Sequence, residues 1–103
     1  MQLYVVTWKF QSPEDQSFAA DALIDYVESG QAESMPEGYE RLAWVHTPQD
    51  GTGIVLCKAK SASVLYKVFG PWQKNFGMIC DYKPALTTEE FINLSKDINS
   101  NNN

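Results

Sequence analysis

The sequence predicts a single α+β domain in which four strands and three helices follow the order β-α-β-β-α-β-α. Two observations lead there. Short runs rich in β-branched and aromatic residues are bounded by turn residues, and two longer stretches between them carry apolar residues at helical spacing. The length agrees, since 103 residues hold one domain with a modest core and not two.

Leu3 to Phe10 (LYVVTWKF) reads as the first strand. Ser12 then offers an N-cap, Pro13 suits the first helical position, and Glu14 and Asp15 favour the positive helix end. Phe18, Ala19, Ala22, Leu23, Tyr26 and Val27 recur at helical spacing, and Gly30 supplies a stop. Gln31 to Glu40 reads as a loop. Arg41–Thr47 and Gly53–Lys60 follow as strands around the turn-rich Pro48-Gln49-Asp50-Gly51-Thr52. A second helix begins at Ser61 with Val64, Leu65, Val68, Phe69 and Trp72 on its apolar face, and Gly70-Pro71 predicts a kink or break in it. Phe76 to Tyr82 reads as the fourth strand, closed by Pro84. Thr87-Thr88-Glu89-Glu90 resembles a capping box and starts a last helix to about Lys96. The domain is expected over residues 1–98, with 99–103 (NSNNN) as a disordered tail.

This order is the ferredoxin-like split βαβ plan, an antiparallel sheet of order 4-1-3-2 with both crossover helices on one face. The strands do not alternate cleanly between apolar and polar. Tyr4, Val6 and Trp8 lie on one side of strand one, with Leu3 and Val5 on the other. Pairing strands two and three across their turn places Leu42, Trp44 and His46 beside Ile54 and Leu56, opposite Ala43, Val45, Val55, Cys57 and Ala59. Both sheet faces are therefore largely apolar, and the one without helices needs a cover. A second copy of the same sheet is the economical one, giving a two-fold homodimer closed as an α+β barrel.

Further marks are Thr7-Trp8 in strand one, Pro36-Glu37-Gly38 before strand two, Trp44-x-His46 and Asp50-Gly51-x-Gly53. Trp72 late in helix two and Pro84 followed by Glu89-Glu90 complete the series. In order and spacing these residues resemble an uncharacterised bacterial family of the dimeric α+β barrel superfamily. In that family's pattern Trp and His are adjacent, whereas Val45 separates them here. The resemblance implies the fold and the homodimer. Neighbouring families on the plan include cofactor-independent monooxygenases, isomerases and lyases that act on hydrophobic compounds, an analogy of fold alone.

Composition narrows the function. Eight basic against thirteen acidic residues leave a net charge of −5, the wrong sign for a phosphate backbone, and strand three lacks the aromatics that an RNA-binding sheet uses. The sequence contains no membrane-length apolar run, and Met1 leads into a strand instead of a signal peptide. Cys57 and Cys80, with no CxxC spacing, read as buried thiols of a cytoplasmic protein. His46 is the only histidine and the best acid/base candidate; the scattered acids give it no metal-ligand spacing, so neither metal nor cofactor is expected. Asp81, in a strand where Asp is disfavoured, is a candidate catalytic partner reaching His46 across the dimer interface. Tyr4, Trp8, Trp44, His46 and Leu56 are candidate ligand contacts in a pocket between facing sheets. The expected function is binding of a small or elongated hydrophobic molecule, with a carboxyl or carbonyl end near His46. A cofactor-independent enzyme with His46 as acid/base, or a structural dimer with a closed core, are the alternatives.

Overall fold

The computed structural model describes residues 1–101. Its elements are β1 (Gln2–Lys9), α1 (Pro13–Glu28), β2 (Tyr39–Thr47), β3 (Thr52–Ala59), α2 (Ala62–Phe76), β4 (Ile79–Ala85) and α3 (Thr88–Asn101). The sheet is antiparallel throughout, in the order β2-β3-β1-β4. The expected α+β plan and strand order hold.

Local chemistry sets most boundaries. The Ser12 hydroxyl accepts from the Asp15 amide at 3.1 Å and starts α1, with Pro13 in its first turn. Ser61 does the same for α2, accepting from the Val64 amide at 3.4 Å. Thr87 and Glu90 form a reciprocal box, with Thr87 N–H donating to Glu90 Oε1 at 3.0 Å and Glu90 N–H to Thr87 Oγ1 at 3.1 Å.

Three expectations are corrected. Of the kink or break expected at Gly70-Pro71, the break is absent: helix α2 continues to Phe76, and its stop is Gly77, whose φ of 63° is the left-handed C-cap that glycine adopts without strain. The fourth strand therefore starts at Ile79 instead of Phe76. It runs through Pro84, which an edge strand tolerates because its missing N–H faces away from the ladder. Helix α3 continues to Asn101, so residues 99–101 of the expected tail are helical. Neither Gly nor Pro interrupts the segment after its capping box, and each added residue extends the hydrogen-bond ladder. Residues 102–103 lie outside the described residues.

Register decides which side chains share a face. Thr47 stands opposite Thr52, so Trp44 pairs with Val55 and His46 with Gly53, not with Ile54 and Leu56 as expected. That one-residue difference moves Trp44 and His46 to the other side of the sheet. Two rows of facing residues cross the helix-covered face: Trp44–Val55–Val6–Tyr82 and His46–Gly53–Trp8–Cys80. The opposite face carries the rows Ala43–Leu56–Val5–Lys83 and Val45–Ile54–Thr7–Asp81.

The core lies between the sheet and the two crossover helices, around Val6, Trp8, Val55, Cys57, Leu65 and Phe69. The other face is uncovered, with Val45, Ile54 and Ile79 exposed. Helix α3 buries no residue and has no substantial contact with another element.

Candidate functional site

Between α1 and the β2–β3 side of the sheet lies an open cavity of about 170 Å³. It exists because α1 presents the small Ala19 and Ala20 to the sheet, flanked by Gln16 on one side and Leu23 and Tyr26 on the other. Gln16 fixes this end of the helix by donating through Nε2 to the Pro48 carbonyl at 3.1 Å. The floor is Trp8, Trp44 and Val55, and Trp72 and Tyr26 close the far end as an edge-to-face pair with centroids 5.4 Å apart.

Trp8 is seated by Gly53. A methyl group on Gly53 would lie 2.0 Å from Trp8 Cζ2, so the indole occupies the space that any other residue would fill. His46 stands between two rings, 5.4 Å from Trp8 and 5.2 Å from Trp44. Partial desolvation against them lowers its pKa from the usual histidine value, and the imidazole is neutral at neutral pH. It is a hydrogen-bonding group there, not a fixed cation.

The fixed cation is Arg41, which the sequence marks only as the start of the second strand. A β-bulge between Arg41 and Ala43 inserts Leu42 as an extra residue, so that Arg41 and Trp44, an odd number of positions apart, share one face. The Arg41 guanidinium lies 4.7 Å from the Trp44 ring centre. It donates to the Ala32 carbonyl at 3.3 Å and to Glu33 Oε1 at 3.2 Å, both acceptors belonging to the short 3₁₀ turn Gln31–Glu33. The Arg41 side chain is 21% exposed and Glu33 82%, so the cation is held inside while its partner reaches in from solvent. No signal short of the bulge itself places Arg41 in the site. Among the described residues no carboxylate lines the cavity, and no group of His, Cys, Asp and Glu has a metal-holding arrangement.

The candidate residues are thus divided. Trp8, Trp44 and His46 come together in this cavity, within a single chain and not between two sheets. Tyr4 is on the same face but packs against the core beside Cys57, outside the cavity. Leu56 and Asp81 are on the uncovered face, where Asp81 pairs with Lys83 at 3.6 Å. The sheet separates Asp81 from His46, so a face-to-face dimer does not join them either.

The match with known families falls on this same span. The family model described as "Domain of unknown function (DUF3303)" matches residues 2–99. The chain belongs to that family. The DUF3303 match takes in every cavity residue from Trp8 to Met78. Searches of curated proteins and of solved structures return no match to this DUF3303 domain. No helix among its described residues is long and apolar enough to cross a membrane.

Proposed function

We propose that the domain binds a small hydrophobic molecule with an anionic end, in the cavity between α1 and the sheet. The carrying observation is Arg41, an inward cation stacked on Trp44 at one end of an otherwise apolar, ring-lined space. A cavity of about 170 Å³ suits a single aromatic ring or a short aliphatic chain, since ~150 Å³ accommodates benzene. An anionic end belongs at Arg41 and not at the neutral His46, which suits a carbonyl or hydroxyl substituent. In this reading Glu33 gives way to the ligand's carboxylate, which is a small cost because an exposed carboxylate contributes little to such a pair.

The active form in this account is a homodimer paired through the uncovered sheet faces. Its thiols Cys57 and Cys80 are free, which suits the cytoplasm. A cofactor-independent reaction at His46 is the second reading, favoured by its neutral imidazole between two rings. Binding carries more weight because no carboxylate in the cavity orients or activates that histidine.

The test uses the fluorescence of Trp8 and Trp44 during titration with octanoate and phenylacetate, against octanol and phenylethanol as neutral counterparts. The expected result is a saturable change with the carboxylates bound ~10–100-fold more tightly, the range of a charge-assisted hydrogen bond. Arg41→Gln removes that preference. Equal weak binding of all four compounds, or a preference unchanged in Arg41→Gln, contradicts the proposal.

A further inference from the structure

Helix α3 is an amphipathic helix with nothing to pack on. Phe91, Leu94 and Ile98 recur at positions i, i+3 and i+7 and form one stripe, all of them exposed. Glu89, Asn93, Lys96 and Ser100 occupy the opposite side. A reciprocal capping box starts the helix after only Leu86 and Thr87, so the chain specifies this helix firmly and its stripe has a purpose.

The dimensions show where the stripe is available. The radius of gyration is 16.4 Å, against about 13 Å for a compact chain of this length. The longest axis is 56 Å, and a helix of 14 residues supplies about 21 Å of it, so α3 stands clear of its own body. The accessible surface is 7048 Å², whereas a compact monomer of 11.6 kDa exposes about 5,800 Å². The excess, roughly 1,200 Å², exceeds the ~800 Å² per partner of a standard interface.

From this we infer that α3 is an exchanged arm, which crosses to a second copy of the chain and lays its Phe91–Leu94–Ile98 stripe along the β2–β3 margin of that copy's uncovered sheet face. The inference rests on the face-to-face homodimer proposed above. In a barrel-like pairing each β4 edge lies beside the partner's β2 edge. A helix leaving the end of β4 at Ala85, level with Lys58 and Glu40, therefore meets that end of the partner's margin, and its length of about 21 Å carries it past Leu42 toward the exposed Val45 and Ile54. Charge agrees. The arm carries Glu89, Glu90 and Asp97 against Lys96, a net charge of −2, while the uncovered face carries Lys9, Lys58 and Lys83 against Glu40 and Asp81, a net charge of +1. Two arms in a two-fold dimer bury both stripes and both margins, and the exchange closes without open ends.

The experiment mixes ¹³C-labelled with unlabelled full-length chain and records isotope-filtered nuclear Overhauser effects, beside sedimentation of the wild type and of full-length Leu94→Glu/Ile98→Glu. Both substituted residues are exposed in the free chain, so the variant retains its own core. The expected results are a wild-type dimer, contacts between the Leu94 and Ile98 methyls of one copy and those of Val45 and Ile54 of the other, and dimer dissociation strengthened at least 30-fold in the variant. A dimer whose α3 contacts lie only within one chain, or are absent, overturns the arm and leaves the sheet pairing standing. A wild-type chain that sediments as a monomer at ~100 μM overturns both.

Discussion

Replacing Gly53 by alanine tests the seat of Trp8. The new methyl carbon would stand 2.0 Å from Cζ2 and 2.5 Å from Cε2 and Cη2 of the indole, where carbon atoms normally rest about 3.5–4.0 Å apart. The ring must move by ~1.5 Å, and it cannot do so freely because it is 7% exposed and packed within the core. Overpacking of this kind costs about 2–3 kcal/mol, which for a chain of this size lowers Tm by ~10–20 °C. Thermal and urea unfolding followed by circular dichroism measure it. A double-mutant cycle isolates the cause. With Trp8 replaced by alanine, itself a loss of about 3–5 kcal/mol, Gly53→Ala becomes neutral within ~0.5 kcal/mol or slightly stabilising, because glycine weakens a strand interior. The coupling between the two sites is then about 2 kcal/mol. If Gly53→Ala costs the same in both backgrounds, Trp8 does not rest on Gly53. The floor of the cavity would then be misassigned.

The other expectations concern titration and caps. The single histidine titrates by NMR below 6.5, because desolvation disfavours its charged form; a midpoint above 6.5 contradicts the placement between two rings. The unfolded chain takes up the His46 proton first as pH falls beneath 6.5, so the histidine's contribution is fully present above that value. It is lost through the window just below, and His46→Gln flattens that part of the wild-type pH dependence. Burial pushes the Cys80 thiol up to about 12 and raises that of Cys57, so neither reacts with a thiol reagent at pH 8 until the protein unfolds. A rapid reaction of one thiol in the folded protein would show that a cysteine is accessible. Ser61→Ala removes the N-cap of α2 and costs about 1 kcal/mol, read from the urea midpoint, and Ser61→Asp restores it.

The sequence displays the fold because its signals are local. The caps at Ser12 and Thr87, the helix start at Ser61, the stop at Gly30 and the apolar periodicities of α1 and α2 each act within a few residues, and the structure uses them all. What fails is non-local or depends on a single parity. Gly70-Pro71 reads as a kink or break, yet α2 continues past it and stops where Gly77 takes a positive φ, which moves the start of β4 from Phe76 to Ile79. The greater loss is register. Pairing Thr47 with Thr52 instead of its neighbour carries Trp44 and His46 from the uncovered face to the covered one and separates them from Leu56. The bulge at Leu42 then reverses the parity once more and brings in Arg41, a residue that strict alternation places on the wrong side. Trp8, Trp44 and His46, singled out by their chemistry, do line the cavity. Their neighbours across α1 are not legible in the sequence, since Ala19 and Ala20 matter through the volume they leave empty.

The central claim is that the cavity between α1 and the sheet holds a small anionic hydrophobic molecule, and native mass spectrometry of freshly purified protein tests it most directly. Wild type and Arg41→Gln are sprayed as purified and again with millimolar octanoate, and any carried compound is released by denaturing extraction. One adduct per chain in the wild type, carried over or taken up from octanoate, and its loss in Arg41→Gln is the expected result. Wild-type protein that carries nothing and takes up no octanoate, or an adduct that persists in Arg41→Gln, contradicts it.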